Sequence, residues 1–297
     1  MPPAATIRVI AADIKLAHSV FALPFGVLAV FLARDQGERP GRLALKLSLV
    51  VACMVAARTW AMLVNRIADR GIDGMNERTR GRALPSGRLS TRAACVAAGL
   101  SAAAFVGLAA LFLAFGNPWP VALAVPVLAW IAFYSFTKRF TAACHLFLGG
   151  ALAASPIAAA IAVNPGSLAQ TPALWWIAGM VLAWVAGFDV IYALQDEAFD
   201  RERGLHSIPA SLGARRAAWA ARGLHAVALA CLVAAGLADA RLGVLYGGAV
   251  ALVGGLLVAE HVVLVRRGLA GLDLAFFTLN GVIGIVLAAA AIADLLV

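Results

Sequence analysis

Nine apolar runs, each about as long as a membrane-crossing helix, fill most of the sequence. They lie at roughly 14–33, 43–65, 93–115, 119–136, 142–163, 173–195, 215–238, 242–265 and 273–296. A helix needs about 20 mainly apolar residues to cross the hydrocarbon core of a bilayer. The junctions carry Pro40-Gly41, Gly116-Asn117-Pro118, Asn164-Pro165-Gly166, Thr171-Pro172 and Gly268, residue types that punctuate regular structure. Pro24, Pro126 and Pro156 fall inside runs and predict kinks. A bundle tolerates these because neighbouring helices satisfy the freed carbonyls. Hydrophobic residues are 63% of the chain and charged ones 13%, with a mean hydropathy of +0.92. Soluble domains run near half apolar and about a quarter charged, which excludes a soluble enzyme. Disordered chains are poor in hydrophobics, so disorder is excluded too. A membrane β-barrel would show alternating segments of about 10 residues. The expected fold is therefore all-α, a polytopic bundle of nine transmembrane helices forming a single domain over 1–297.

The first run lacks a small-residue cleavage pattern and is expected to stay as a span. Cys53, Cys95, Cys144 and Cys231 lie in apolar stretches without metal-site spacing, so they are expected to be buried, reduced and structural. The chain has 24 Lys and Arg against 15 Asp and Glu, a net charge of +9. The basic residues sit in short loops between apolar runs, which points to membrane orientation and not to nucleic acid. With the amino terminus inside, eighteen of the 24 fall in inner segments, five in outer segments, and Arg58 within a span. That bias predicts a cytoplasmic amino terminus, an external carboxyl terminus and a multi-pass protein of the inner (plasma) membrane.

Two of the inner loops are unlike the others. One reads Asn65-Arg66-Ile67-Ala68-Asp69-Arg70-Gly71-Ile72-Asp73, the other Tyr192-Ala193-Leu194-Gln195-Asp196-Glu197-Ala198-Phe199-Asp200. Each holds an Asp-x-x-x-Asp pair, and an i,i+4 spacing puts both carboxylates on one helical face. Four carboxylates brought together without a cation would repel, so facing pairs call for a divalent metal. Oxygen ligands, water and phosphate suit Mg²⁺. At about 100° per residue, Asp189, Tyr192, Asp196 and Asp200 share an arc of about 80°, and Asn65, Asp69 and Asp73 a similar one. Arg58 lies on that first face, roughly 10 Å deeper in the bilayer. Ionisable groups at such depth usually face the bundle interior. Arg58 is either a site for an anionic acceptor or one half of a buried ion pair with Asp189.

Basic residues surround both acidic pairs. Arg66, Arg70, Arg78, Arg80 and Arg82 follow the first, Arg201 and Arg203 flank the second, and Lys138 and Arg139 close another inner loop. A metal-bridged diphosphate needs this mixture, with metal between phosphate and Asp, and Lys or Arg on the remaining oxygens.

At these residues the sequence resembles the UbiA superfamily of intramembrane prenyltransferases. That family's first motif, Asn-Asp-x-x-Asp-x-x-x-Asp, is matched at Asn65, Asp69 and Asp73, with Arg66 where many members carry Asp. Its second motif is matched at Asp196 and Asp200, preceded by Tyr192. RTRGRALPSG (Arg78 to Gly87) is similar to the family's Arg-Thr-x-x-Arg-Pro-Leu-Pro-Ser-Gly, with Ala83 for Pro. YSFTKRFT, from Tyr134, is similar to its Tyr-Pro-Phe-x-Lys-Arg-x-Thr loop, with Ser135 for Pro. Within the family, IKLAHSVFALPFG (Ile14 to Gly26), NRIADRGID (Asn65 to Asp73) and FDVIYALQDEAFDRERGLHSIPASLG (Phe188 to Gly213) together resemble the 4-hydroxybenzoate polyprenyltransferase branch, part of which is assigned to menaquinone synthesis (MqnP-like).

The resemblance implies transfer of a prenyl group from an allylic polyprenyl diphosphate to an electron-rich aromatic acid, 4-hydroxybenzoate or a dihydroxynaphthoate. Asn65, Asp69, Asp73, Asp196 and Asp200 would hold Mg²⁺ against the diphosphate, the four Asp forming the catalytic core. Arg78, Arg82, Lys138, Arg139 and Arg201 would bind residual phosphate charge. Tyr134 and Tyr192 would steady an allylic cation through their ring faces, or else serve as interfacial aromatics. Lys15 stands where the family typically uses a first-span Arg for the acceptor carboxylate, with His18, Arg58 and Asp189 as further acceptor-site candidates. The prenyl tail would leave laterally to membrane lipid. Arg66 leaves the metal site one carboxylate poorer than in many members. Two alternatives stay open here: another acceptor within the family (haem, a chlorophyll precursor or a glycerol phosphate), and a transporter, whose buried charges would mark a substrate path.

Overall fold

The computed structural model describes the backbone of residues 3–13, 21–272 and 278–297, with side chains from Arg8 onward. Every regular element among the described residues is helical. In chain order they are α1 (Pro3–Asp13), α2 (Leu23–Ala33), α3 (Pro40–Met75), α4 (Thr91–Ala110), α5 (Trp119–Thr137), α6 (Cys144–Val163), α7 (Ser167–Gln170), α8 (Ala173–Ala193), α9 (Glu197–Glu202), α10 (Ile208–Leu212), α11 (Ala214–Ala238), α12 (Val244–Arg267) and α13 (Asn280–Leu296). Among the described residues, seven segments are long and apolar enough to cross a bilayer, and α2 and α13 are shorter apolar helices. The protein is thus an integral membrane helical bundle. Its first and last expected spans, 14–33 and 273–296, lie partly outside the described residues.

Surface composition agrees with a lipid environment. Leu100, Val125, Trp119, Trp175, Trp219 and Leu237 are all more than half exposed. In water such a surface would aggregate, whereas acyl chains solvate it. Cys144 and Cys231 are buried and Cys53 intermediate, as free thiols. Cys95 departs from the expectation of burial: it is exposed on α4, an apolar helix whose outer face can meet lipid as readily as protein.

The chain divides into two compact units, Met1–Ser19 with Ala52–Phe136, and Val20–Val51 with Thr137–Val297. The long helix α3 contributes its first part to the second unit and its remainder to the first. In the first unit, Leu63 and Ala98 pack with Ile10, Trp60 and Ile67, and Ala83, Leu84, Leu89 and Ala94 form a neighbouring cluster with Val9. The Trp60 indole donates to the Leu128 carbonyl (3.0 Å), tying α3 to α5.

In the second unit, α8 is the central helix, packed against α6 and α11. It is hydrophobic nearly all round, as a buried helix must be. Every residue from Ala183 to Ile191 is buried except Asp189. Close approach to both neighbours requires glycine. A Cβ on Gly149 of α6 would lie 2.3 Å from the Leu182 carbonyl oxygen, and one on Gly187 would lie 2.3 Å from the His225 ring. Trp184 of α8 meets Phe25 and Phe188 edge-on. Its indole donates to Asn280 (2.6 Å), which in turn donates to the fully buried Glu260 (3.1 Å).

Where α11 hands over to α12, the Arg241 guanidinium donates twice to Asp239 (2.9 and 2.7 Å) and once to the Leu32 carbonyl (3.1 Å), and the Arg241 backbone N–H also donates to Asp239 (3.1 Å). Burial pushes the Asp239 carboxyl up, but hydrogen bonds and charge from Arg241 outweigh it and hold the group below its ordinary value. A depressed folded-state pKa contributes stability above the unfolded value and loses it as pH falls through the folded one. Acid titration of the detergent-solubilised protein should therefore show a loss of stability below the usual carboxylate range that Asp239→Asn reduces.

Candidate active site

The first acidic cluster belongs to the last turns of α3. Asn65, Asp69 and Asp73 all lie within this one unbroken helix, so the expected i,i+4 face holds. The Asn65 side-chain amide donates through Nδ2 to Asp69 (3.0 Å), and Arg66 donates to the Asn65 side-chain oxygen Oδ1 (3.0 Å). Arg66 is buried and its Nε lies 3.3 Å from Asp13, whose other oxygen accepts from the Ala83 N–H (2.8 Å). The Arg that stands in the Asp position of the first motif is thus neutralised from α1, and it sets the orientation of Asn65. Asp73 is also buried. Arg82 donates to both of its oxygens (2.8 Å each), and Thr79 donates to its carbonyl (3.0 Å). The RTRGRALPSG stretch therefore folds back as a clamp on the end of α3. Arg78 is exposed, and Arg58 is half-buried within α3.

The second acidic cluster is built differently from its expected form. α8 ends at Ala193, a 3₁₀ turn covers Leu194–Asp196, and α9 begins at Glu197. Asp196 and Asp200 therefore straddle a change of helical type, and the arc computed for a continuous helix does not apply to them. Asp196 is buried, and Asp200 is fully buried. Lys138 lies 2.8 Å from one Asp200 oxygen, and the Ser207 hydroxyl donates to the other (3.0 Å). Lys138 is itself held by the His206 N–H, which donates to its carbonyl (2.8 Å). Ser207 also caps α10, accepting from the Ala210 N–H (3.2 Å). Arg201 is exposed and pairs with Glu197 (2.8 Å). Tyr134, Tyr192 and Arg139 are half-buried. Lys15 and His18 lie outside the described residues.

Lys138→Met should cost about 2 kcal/mol of stability, since it strands a buried carboxylate. The value lies below the usual range for a buried pair because Lys138 is 36% exposed and water screens part of the attraction. Thermal unfolding of the solubilised protein measures it.

One residue outside the motifs meets a predicted site residue. His145, in the first turn of α6, lies 2.6 Å from Asp189 through Nδ1. Its Nε2 accepts from the Ile208 backbone N–H (3.2 Å). The rule that singled out Arg58 and Asp189, an ionisable group inside an apolar run, applies equally to His145, His225, Glu260 and His261.

Among the described residues, no three His, Cys, Asp or Glu side chains converge to form a metal cage. The donors present are carboxylate and amide oxygens, and one carboxylate of each pair is already charge-compensated by Arg82 or Lys138. This donor set fits Mg²⁺, which is commonly held by one or two carboxylates together with water and substrate phosphate.

Each acidic helix end, backed by its own Arg or Lys, is chemically suited to hold a metal-bound anion. The sequence pattern of the UbiA prenyltransferase family matches residues 22–282, and the chain belongs to that family. It is 33% identical over 204 residues to a 4-hydroxybenzoate octaprenyltransferase of Shewanella piezotolerans, covering 69% of this chain and 68% of that one. Its fold matches the apo structure of a UbiA homologue from Aeropyrum pernix with a TM-score of 0.83 and 31% identity, covering 94% of this chain and 98% of the other. It also matches a UbiA homologue from Archaeoglobus fulgidus bound to GPP and Mg²⁺, with a TM-score of 0.68, 18% identity, and coverage of 97% and 100%. The protein is accordingly a prenyltransferase, which displaces the transporter alternative.

Proposed function

We propose that the protein moves a polyprenyl group from an allylic polyprenyl diphosphate to an aromatic acid, 4-hydroxybenzoate or a dihydroxynaphthoate, in ubiquinone or menaquinone synthesis. It works as one prenyltransferase domain in the inner (plasma) membrane, with both motif loops on the cytoplasmic side. The observation that carries this reading is the pair of acidic helix ends, each already furnished with its own cation, in a chain of this family. The relative named for 4-hydroxybenzoate and the homologue bound to GPP and Mg²⁺ support the choice of substrates.

In this mechanism Asn65, Asp69, Asp73, Asp196 and Asp200 would hold Mg²⁺ against the diphosphate. The metal, when bound, supplies positive charge that stabilises the departing diphosphate. Arg66 fixes the Asn65 amide, and Arg82 and Lys138 fix Asp73 and Asp200, so the carboxylates are ordered before substrate arrives. Such preorganisation spares reorganisation at the moment of bond breaking. Arg78, Arg139 and Arg201 take up phosphate charge at the rim. The apolar bundle keeps water from the allylic cation, and Tyr134 and Tyr192 present ring faces to it. Lys15, His18 and Arg58 meet the acceptor carboxylate.

Steady-state kinetics in isolated membranes test the acceptor assignment. Lys15→Ala or Arg58→Ala should raise the KM for the aromatic acid about tenfold, roughly the loss of one charged contact, with a smaller change for the prenyl diphosphate. An unchanged aromatic-acid KM in both variants would remove the carboxylate-binding roles.

A further inference from the structure

We propose that Asp189, oriented by His145, takes the proton that the acceptor ring gives up when it is prenylated. The inference rests on prenyl transfer to an aromatic acceptor and names the group that completes it.

The argument starts from burial. Over nine consecutive residues of the most enclosed helix in its unit, Ala183 to Ile191, Asp189 alone is not buried. Its side chain is 25% exposed, flanked by Phe188 and Val190, which are sealed. It lies seven residues before Asp196, about 10 Å deeper along the helix axis. A carboxylate at that depth is costly and needs a reason to be there.

The hydrogen bonds define its state. The Ile208 N–H can only donate, so His145 Nε2 must be the lone-pair nitrogen. Nδ1 then carries the ring hydrogen and donates to Asp189 Oδ2 at 2.6 Å. His145 is buried to 3% exposure of its side chain and cannot turn away. One carboxylate oxygen is thereby anchored, and among the described residues nothing donates to the other. A fixed imidazole thus presents a partly exposed carboxylate whose second oxygen takes no hydrogen bond among the described residues. The same His145 reaches Ile208, next to Ser207, which donates to Asp200. The proton-accepting group and the second acidic cluster are tied through a single side chain.

The chemistry balances without another reactant. The carbon–oxygen bond to diphosphate breaks with its electron pair leaving on the diphosphate. The ring carbon beside the hydroxyl bonds to the allylic carbon. The hydrogen on that ring carbon passes as a proton to the open oxygen of Asp189, and its bonding electrons restore the aromatic ring. Where apolar helices exclude water, a protein group must take this proton unless the released diphosphate does. Asp189 is the catalytic residue in this step and His145 a positioning residue.

The test measures diphosphate released per prenylated product, in membranes given geranyl diphosphate, Mg²⁺ and 4-hydroxybenzoate carrying deuterium at ring carbons 3 and 5. In the wild type the ratio should be near one, with no primary isotope effect, since ionisation is the slow step. In Asp189→Asn the prenylated ring cation should revert and the allylic cation be captured by water as the prenyl alcohol, so the ratio should rise by about 10²-fold, the usual worth of a positioned base, and a primary isotope effect should appear. His145→Leu should raise the ratio in the same direction, whereas His145→Asn, which keeps a donor at the Nδ1 position, should restore it towards one. If Asp189→Asn does not accumulate, the His145 pair reads the same ratio. A ratio near one in Asp189→Asn, or in His145→Leu, overturns the proposal and leaves the diphosphate as proton acceptor. A wild-type enzyme that makes no product from an aromatic acid defeats the acceptor reading itself, and is seen before any variant is assayed.

Discussion

Asp69→Ala or Asp196→Ala should abolish prenyl transfer while the protein still inserts and folds. Each change removes a negative charge from an acidic helix end without touching the apolar surfaces that hold the bundle together. Asp69 loses its hydrogen bond from Asn65, and that amide remains held by Arg66. Asp196 lies on the 3₁₀ turn between α8 and α9, outside the tight α6–α8 and α8–α11 contacts. The expected effect on rate is therefore large, on the order of 10³-fold or more, because the diphosphate then leaves without its full charge compensation. The expected effect on stability is small. Activity at the wild-type rate in either variant would remove that carboxylate from the metal site. Chelating divalent metal from wild-type membranes should reproduce the loss, and added Mg²⁺ should reverse it.

Gly149→Val should have the largest structural effect. A side chain at this position would meet the Leu182 backbone, at 2.3 Å from the carbonyl oxygen and 3.1 Å from its carbon. Backbone cannot rotate aside as a side chain does, so α6 and α8 must separate. Overpacking of this kind costs about 3 kcal/mol or more when the neighbour cannot yield. In a membrane, close approach through small residues is also a main source of helix association. The variant should lose folded yield after detergent extraction. Gly99→Val in α4, where nothing lies within 4 Å, is the control and should extract normally. Equal yields from the two would mean that the α6–α8 contact does not limit assembly.

The sequence shows most of the helical plan because lipid imposes length and hydropathy on each span. The run at 119–136 became Trp119–Thr137, and that at 215–238 became Ala214–Ala238. Less legible was what happens at helix ends. The run at 43–65 continues as helix to Met75, carrying Asn65, Asp69 and Asp73 with it, since their polarity ends an apolar pattern without ending a helix. Hydropathy likewise cannot see the 3₁₀ turn at Leu194–Asp196, because a change in backbone winding leaves composition unaltered.

The acidic residues were legible from spacing and charge, but their partners were not. Arg66 departs from the usual motif, and nothing local says that Asp13, fifty-three residues earlier, neutralises it. Lys138 was read as a phosphate ligand; its ion pair with Asp200 depends on a loop returning from sixty-two residues away. Nothing in the sequence singles out His145, because a lone histidine in an apolar run has no sequence partner. Only the fold brings Asp189 to one ring nitrogen and the Ile208 N–H to the other.

The most direct test of the central claim is a double-mutant cycle on Mg²⁺-dependent diphosphate release from a prenyl diphosphate in membranes. It compares the wild type with Asp69→Asn, Asp196→Asn and the double variant. If both acidic helix ends act on one diphosphate, each single change should lower the rate by about 10²-fold or more, and the double should fall little further, as groups working as a unit do. Losses that simply multiply, or a single variant that keeps the wild-type rate, would contradict the account.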